Sequence, residues 1–329
     1  MKNIYGVLGA GSWGTAIVKI LTEKNSSINW YVRNESNLNH IQTFRKNPNY
    51  LSSLELEINK INLSSSIIDV VKNSSVIILA IPSPFLDSEL KKIKSFLKGK
   101  VFFSALKGVI PESHLIVSEH LNQFYEVSFS KIGVITGPCH AEEVALEKLS
   151  YLTVACKNTK IGKSMTDSLN TKFIKTKFSK DLKGAEYASM LKNVYALLVG
   201  VANGLGYGDN FQSVLISSSV KEMKRFIKTV YLLERDINDS EYLGDLLVTC
   251  YSTFSRNRTL GNMLGKGYSL KAAILEMSMI SEGYYATKNA YEIGLKNKIP
   301  FEIINTAYSI LYKKHSAKKA MKVLANKLN

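Results

Sequence analysis

The sequence predicts an α/β domain built on a doubly wound, mostly parallel sheet, followed by an all-α domain. Three observations support this prediction. Residues 4–21 have the pattern of an apolar strand, a glycine-rich turn and an apolar-periodic helix. Strand-like and helix-like segments then alternate to about residue 180, as in a parallel sheet with helices on both faces. From Glu186 onward helical periodicity dominates and strand-like runs fade.

The turn after the first predicted strand has the spacing Gly-x-Gly-x-x-Gly, at Gly9, Gly11 and Gly14. Gly9 permits a tight turn, Gly11 lets a pyrophosphate approach the backbone, and Gly14 lets helix and strand pack closely. The N–H groups at the start of the helix then face the phosphates. The turn therefore predicts a Rossmann-type dinucleotide-binding domain. The alternative is a glycine-rich turn kept only for packing.

Further strands are predicted at residues 29–32, 76–81, 101–106, 132–136, 151–155 and 173–176. In a parallel sheet the carboxyl ends of the strands share one edge, where ligands bind. Gly9, Arg33, Pro82, Lys107 and Gly137 all fall at such ends. Arg33 stands where an acidic residue would suit NAD and an arginine would suit the 2′-phosphate of NADP. It favours NADP or the use of both; the alternative is a solvated surface charge.

The length of 329 residues suggests two domains, which we place at residues 1–183 and 184–329. The first is the predicted NAD(P)-binding domain, and the second is the all-helical substrate and catalytic domain.

The composition limits the classes of partner. The net charge of +16 comes from dispersed basic residues, with no basic segment interleaved with aromatics, so we expect no nucleic-acid partner. No apolar run reaches the ~20 residues of a membrane span, so we expect no membrane partner. Three scattered cysteines suggest reduced thiols and a cytoplasmic location. The ligand-type residues at 139–143 have no second cluster to complete a metal site, so none is expected.

The first long helix of the second domain, residues 186–201, is apolar on nearly every face and is interrupted by Lys192 and Asn193. Burial lowers the pKa of a lysine, which suits it to acid–base chemistry near neutral pH. The alternative is a lysine whose ammonium group reaches water from the flank of the helix. Asp245 also lies among apolar residues, and a buried aspartate needs a partner. Lys192 is the candidate, and a helix-cap role is the alternative.

Residues 255–260 have the pattern of an anion site. Ser255 is a plausible N-cap, which places Arg256 and Asn257 in the first turn beside free N–H donors. A phosphate there could accept hydrogen bonds from backbone, amide and guanidinium groups. The alternative is a capped surface helix with two exposed arginines.

These features together resemble the bacterial type of NAD(P)-dependent glycerol-3-phosphate dehydrogenase, in order and spacing over nearly the whole chain. The motifs are residues 9–14, 82–83, 107–108, 137–138, 191–194, 204–210, 244–246, 255–258 and 282–283. The resemblance implies a homodimer that interconverts sn-glycerol 3-phosphate and dihydroxyacetone phosphate for glycerophospholipid synthesis, with NADP or NAD as cofactor.

The resemblance also implies roles for individual residues. The implied catalytic residues are Lys192, Lys107 and Asp245, with Lys192 as the proton acceptor. The implied cofactor-binding residues are Gly9, Gly11, Ser12, Trp13, Gly14, Arg33, Lys107, Ala141, Arg256, Ile280 and Glu282. The implied substrate-binding residues are Lys107, Gly137, Cys139, Lys192, Asp245, Ser255, Arg256 and Asn257. Two residues depart from the family pattern: Cys139 replaces a usual small hydroxyl residue, and Asn203 replaces a frequent aspartate.

These residues lead to a mechanistic hypothesis. Hydride passes to C2 of dihydroxyacetone phosphate, Lys107 and Lys192 stabilise the carbonyl oxygen, and Lys192 delivers the proton. Two alternatives remain at this point. One is a dehydrogenase of the same architecture that acts on a 3-hydroxy acid or a sugar-acid phosphate. The other is a catalytically silent protein that senses nucleotides or binds nucleic acid.

Overall fold

The computed structural model describes residues 3–25, 27–277 and 281–328. Within them the strands are β1 (Tyr5–Leu8), β2 (Ile28–Tyr31), β3 (Ile61–Ser64), β4 (Val76–Leu79), β5 (Val101–Ser104), β6 (Val109–Ile110), β7 (Leu115–Ile116), β8 (Ile132–Thr136), β9 (Ser150–Cys156) and β10 (Ile174–Ser179).

The α-helices of the same residues are α1 (Ser12–Thr22), α2 (Glu35–Phe44), α3 (Ile67–Lys72), α4 (Ser83–Ile93), α5 (Val117–Tyr125), α6 (Ala141–Ala145), α7 (Thr159–Leu169), α8 (Leu182–Gly204), α9 (Asp209–Val230), α10 (Asp245–Tyr251), α11 (Arg256–Gly265), α12 (Leu270–Glu276), α13 (Glu282–Lys296), α14 (Ile303–Leu311) and α15 (Ala317–Ala325). Short 3₁₀ turns cover Ile58–Lys60, Lys94–Phe96 and Phe129–Lys131, and a π-helical turn covers Ser240–Gly244.

The chain forms two compact units. The first contains Met1–Leu106 and Ile110–Leu182, and the second contains Lys107–Val109 and Lys183–Asn329. The sequence-based division at residues 183–184 placed Lys107 with the first unit. The structure groups Lys107 with the second, because the chain has left β5 at Ser104 and Asn193 of α8 donates a hydrogen bond to the Lys107 carbonyl (2.8 Å).

The first unit is built on an eight-stranded sheet with the order β10-β9-β8-β5-β4-β1-β2-β3. Neighbouring strands are parallel except for the antiparallel pair β8 and β9, which confirms a doubly wound, mostly parallel sheet. The central strands β1 and β4 are buried along their whole length, as expected for strands covered by helices on both faces. The apolar residues that predicted them therefore form the core of this unit.

Three strands of the described residues were missed by the sequence analysis. Strand β3 at the edge of the sheet has the sequence Ile-Asn-Leu-Ser, of which only Ile61 is buried, so it lacks the apolar run of a central strand. The two-residue strands β6 and β7 form a separate small sheet, and they are too short to leave a periodic pattern.

The second unit is helical from Lys183 onward among the residues described, which confirms the predicted all-α domain. Its central helix is α8, which is buried from Gly184 to Ala202. No described helix combines the length and apolarity needed to cross a membrane.

Glycines bring α11 against α8. A Cβ on Gly261 would overlap the carbonyl oxygen of Leu197, and a Cβ on Gly200 would overlap that of Arg258. Gly204 and Gly265 make the same kind of close approach one turn further along. Small residues four apart on both helices therefore fix the position of α11, and with it the predicted anion site, relative to the helix that carries Lys192.

Candidate active site

The glycine-rich turn of the first unit has the geometry that its spacing predicts. Gly9 has φ +119°, and a Cβ there would lie 2.6 Å from the carbonyl oxygen of Ala80. A Cβ on Gly14 would overlap the carbonyl oxygen of Gly9. In contrast, a Cβ on Gly11 would meet nothing within 4 Å. Packing alone therefore explains Gly9 and Gly14 but not Gly11, and the open backbone at Gly11 fits a cofactor pyrophosphate.

Other predicted cofactor residues of the same unit lie at the start of a helix or shortly after the end of a strand. Ser12 and Trp13 form the first turn of α1, and Arg33 is exposed two residues after β2 ends. Ala141 is the first residue of α6 and is buried. Ile280 lies outside the described residues.

The predicted substrate residues of the first unit follow β8. Gly137 has φ +115°, and a Cβ there would lie 2.9 Å from the carbonyl oxygen of Tyr151. Cys139 is 2 % exposed, belongs to the apolar core and forms no disulfide. Contact of these two residues with a substrate stays a prediction.

The second unit buries a lysine and pairs it with an aspartate. Lys192 and Asp245 are each 1 % exposed, and the Nζ of Lys192 forms an ion pair with Oδ2 of Asp245. The alternative of a lysine reaching into solvent is therefore wrong. Asp245 is the first residue of α10, and Gly244 occupies the N-cap position, so the carboxylate pairs with Lys192 rather than capping the helix.

Burial lowers the pKa of Lys192 to about 8. Loss of hydration is the largest cause, because a buried ammonium cannot keep its water shell. The positive charge of Lys107 lowers the pKa of Lys192 further, whereas the carboxylates of Asp245 and Glu282 raise it. Lys192 is thus protonated at neutral pH and close to releasing its proton, as the sequence analysis expected of a general acid or base.

Glu282 is a further charged residue of the second unit that acts on Lys192. Glu282, the first residue of α13, is half-buried, and this burial raises the pKa of its carboxyl group. Lys107, Arg256 and Lys192 all act in the opposite direction on the same pKa. Glu282 therefore lies within electrostatic reach of all three cations.

A hydrogen-bonded pair of asparagines holds these segments together. The Nδ2 of Asn193 donates to the Lys107 carbonyl, and its Oδ1 accepts from Nδ2 of Asn257 (2.8 Å). The Oδ1 of Asn257 accepts from the hydroxyl of Ser281 (2.5 Å) and from the N–H of Gly283 (2.8 Å). Sequence reasoning noted Asn193 only as an interruption of an apolar helix. A polar amide at such a position was the signal of a buried network.

The predicted anion site lies at the start of α11. The hydroxyl of Ser255 accepts from the N–H of Arg258, which confirms the N-cap, and Arg256 and Asn257 begin the helix. Arg256 is exposed, whereas Ser255 and Asn257 are buried. The contacts of Asn257 use its carbonyl oxygen and one of its two N–H donors. The first turn can therefore offer a phosphate the Arg256 guanidinium, one amide N–H and backbone N–H groups.

Comparison with known proteins decides the family. Residues 5–162 match the N-terminal model of NAD-dependent glycerol-3-phosphate dehydrogenase, and residues 181–322 match the C-terminal model. The chain belongs to this family. The first match includes the glycine-rich turn and Lys107, and the second includes Lys192, Asp245, the α11 site and Glu282. Family membership makes the chain an NAD(P)-dependent oxidoreductase.

Individual relatives agree with the family. The chain is 32% identical to a glycerol-3-phosphate dehydrogenase [NAD(P)+] of Bacillus velezensis, over 98% of this chain and 94% of that protein. It is 34% identical to the glycerol-3-phosphate dehydrogenase [NAD(P)+] of Halalkalibacterium halodurans, over 95% of this chain and 90% of that protein. The crystal structure of glycerol-3-phosphate dehydrogenase from Coxiella burnetii has a TM-score of 0.92 at 24% identity, over 98% of each chain. This last likeness shows the shared fold.

Proposed function

We propose that this chain catalyses the reversible reduction of dihydroxyacetone phosphate to sn-glycerol 3-phosphate. This product would supply glycerophospholipid synthesis. The observation that carries the proposal is the buried Lys192–Asp245 pair, with Lys107 close enough to lower the Lys192 pKa. A proton donor whose pKa lies near neutral pH is what reduction of a carbonyl group requires. An anion site on α11, the helix packed against α8, suits a small phosphorylated substrate.

The residues of the second unit have distinct roles in this proposal. When bound, the nicotinamide supplies the hydride in reduction and accepts it in oxidation. Lys192 donates a proton to the carbonyl oxygen in reduction and accepts it back in oxidation. Lys107 adds positive charge where the oxygen becomes negative, and Asp245 keeps Lys192 charged. Arg256 holds the phosphate, so that binding energy orients the carbonyl group.

The cofactor is held in this proposal by the glycine-rich turn and the start of α1. The N–H groups of Gly11, Ser12 and Trp13 and the open backbone at Gly11 suit the pyrophosphate. Arg33 is exposed after β2, where its guanidinium can pair with a 2′-phosphate, which favours NADP. The resemblance to the family adds proposed cofactor contacts at Ala141, Arg256 and Glu282, and proposed substrate contacts at Gly137, Cys139, Ser255 and Asn257.

The proposal includes a homodimer that acts in the cytoplasm. The dimer rests on the resemblance to the family, and light scattering should give twice the 36.7 kDa mass of the chain. The cytoplasmic location is supported by the three cysteines, which are all buried and form no disulfide.

The deciding experiment follows the absorbance of NADPH or NADH with purified protein. Addition of dihydroxyacetone phosphate should oxidise the cofactor, whereas dihydroxyacetone without its phosphate should give little turnover. Arg256→Ala should raise the KM for dihydroxyacetone phosphate by about tenfold or more, because a charge-assisted bond is lost. Turnover with a 3-hydroxy acid or a sugar-acid phosphate in place of dihydroxyacetone phosphate would support the other dehydrogenase instead. Binding of cofactor without any turnover would support the silent sensor.

A further inference from the structure

The three carbonyl groups of the glycine-rich turn are all held by hydrogen bonds within the first unit. The Nε1 of Trp30 on β2 donates to the Gly9 carbonyl (2.9 Å). The Nδ2 of Asn47 donates to the Ala10 carbonyl (3.0 Å). The Gly11 carbonyl accepts from the hydroxyl and the N–H of Thr15, both at 2.9 Å.

Asn47 acts on two of these three carbonyl groups. Besides Ala10, its Nδ2 donates to Oγ1 of Thr15 (2.9 Å), the same hydroxyl that donates to the Gly11 carbonyl. Its Oδ1 accepts from the N–H groups of Asn49 (3.1 Å) and Tyr50 (3.3 Å). The amide is 2 % exposed, and all four of its hydrogen-bonding positions are used. Asn47 therefore ties the loop before β3 firmly to the turn.

The direction of a carbonyl group fixes the direction of the next N–H group. A trans peptide is planar, and its N–H points opposite to its C=O. Holding the carbonyls of Gly9, Ala10 and Gly11 therefore orients the N–H groups of Ala10, Gly11 and Ser12. Two of them, the N–H groups of Gly11 and Ser12, are among the groups proposed above to bind the cofactor pyrophosphate at the start of α1. A glycine-rich turn without such support could rotate its peptides at little cost.

We infer that Asn47, acting directly on Ala10 and through Thr15 on Gly11, is a positioning residue for the diphosphate of the cofactor. This inference rests on the proposed cofactor site and adds a residue that does not itself touch the cofactor. The diphosphate is common to NAD and NADP. Loss of Asn47 should therefore weaken the binding of both cofactors by the same factor. A change at Arg33 should instead weaken the binding of NADPH alone.

The test is direct binding of NADPH and NADH to the full chain, followed by cofactor fluorescence without substrate. Asn47→Leu keeps the size of the side chain and removes its hydrogen bonds. It should raise the Kd of both cofactors by about ten- to hundredfold. At saturating cofactor, kcat and the KM for dihydroxyacetone phosphate should stay within about twofold of the wild type, because the substrate residues are unchanged.

The matched control is Asn29→Leu. Asn29, on β2, is buried like Asn47. Its Nδ2 donates to the Asn73 carbonyl (2.8 Å) and to Oγ of Ser74 (2.9 Å), not to the turn. It should lower the melting temperature as Asn47→Leu does and leave both Kd values within about twofold. If Asn47→Leu does not fold, Thr15→Val decides, since it removes only the hydroxyl that relays to Gly11. It should raise both Kd values severalfold.

Two results would overturn the inference. One is an unchanged cofactor affinity in Asn47→Leu and Thr15→Val. The other is a loss of cofactor affinity in Asn29→Leu as large as that in Asn47→Leu. A wild-type protein that binds NADPH but does not reduce dihydroxyacetone phosphate would contradict the proposed function and leave this inference standing. A wild-type protein that binds neither cofactor would remove both.

Discussion

Lys192 illustrates how a single position in the sequence sets the chemistry of the site. A lysine in the middle of an apolar helix loses its hydration, and here the carboxylate of Asp245 offsets part of that loss. The result is a pKa of about 8 rather than 10.5. Without Asp245 the pKa would fall further, and without burial it would stay too high for proton exchange at neutral pH.

The pH dependence of turnover should follow this pKa. In the proposed mechanism reduction needs protonated Lys192, so its rate should fall as the pH rises through about 8. Oxidation needs the neutral amine, so its rate should rise over the same range. Asp245→Asn removes the charge that raises the Lys192 pKa, and both profiles should therefore move to lower pH. A measured pH series in both directions checks this.

The control is Lys192→Met, which keeps an unbranched apolar stem and removes the proton donor. Its kcat should fall by about 10²- to 10⁴-fold, with the Kd of the cofactor nearly unchanged. Profiles that keep their midpoint in Asp245→Asn, or turnover that survives Lys192→Met, would show that another group moves the proton.

At the scale of elements, the contact of α8 with α11 holds the proposed proton donor and the predicted anion site in one unit. Gly200 and Gly204 on α8 meet Gly261 and Gly265 on α11 so closely that a Cβ at any of them would overlap backbone. The asparagine pair then joins α8 and α11 to the start of α13. The sequence showed these glycines only as scattered residues in helical segments, because which helices cross is not encoded in local periodicity.

Gly261→Ala should destabilise the protein through this contact. Its Cβ would overlap the carbonyl of Leu197, so the two helices must separate, at a cost of about 1–3 kcal/mol. The midpoint of thermal unfolding should fall accordingly. The matched variant is Gly208→Ala, where a Cβ meets nothing within 4 Å and φ is −76°, and its midpoint should stay near the wild type. Equal midpoints for the two variants would show that the helices tolerate separation.

At the scale of the whole molecule, the net charge of +16 bears on the encounter with an anionic substrate. The proposed substrate and cofactor both carry phosphate groups, and a positive protein attracts them over a distance set by the salt. The Debye length falls from ~30 Å at about 0.01 M to ~3 Å at about 1 M ionic strength.

Raising the ionic strength over this range should therefore lower kcat/KM for dihydroxyacetone phosphate by about tenfold, with a smaller change in kcat. Steady-state kinetics in NaCl and in KCl check this, since a charge effect should not depend on which salt is used. A kcat/KM that does not respond to salt would mean that the basic residues act only as a solvated surface.

The sequence by itself determined the local features. The apolar runs specify β1, β4 and β8, the spacing of Gly9, Gly11 and Gly14 specifies the turn, and Ser255 specifies where α11 begins. The pairing of Lys192 with Asp245 was also predictable, because burying an unpaired charge among apolar residues costs much free energy and opposite charges reduce that cost.

Apart from that pair, only the tertiary structure decided which distant segments meet. Such meetings include the antiparallel pairing of β9 and the position of β3 at the edge of the sheet. They also include the glycine contacts of α8 with α11 and the hydrogen bond from Asn47 to the glycine-rich turn. Hydrophobic periodicity records which face of an element is buried, and it carries no information about the partner that buries it. That partner follows from packing and hydrogen bonding of the whole chain.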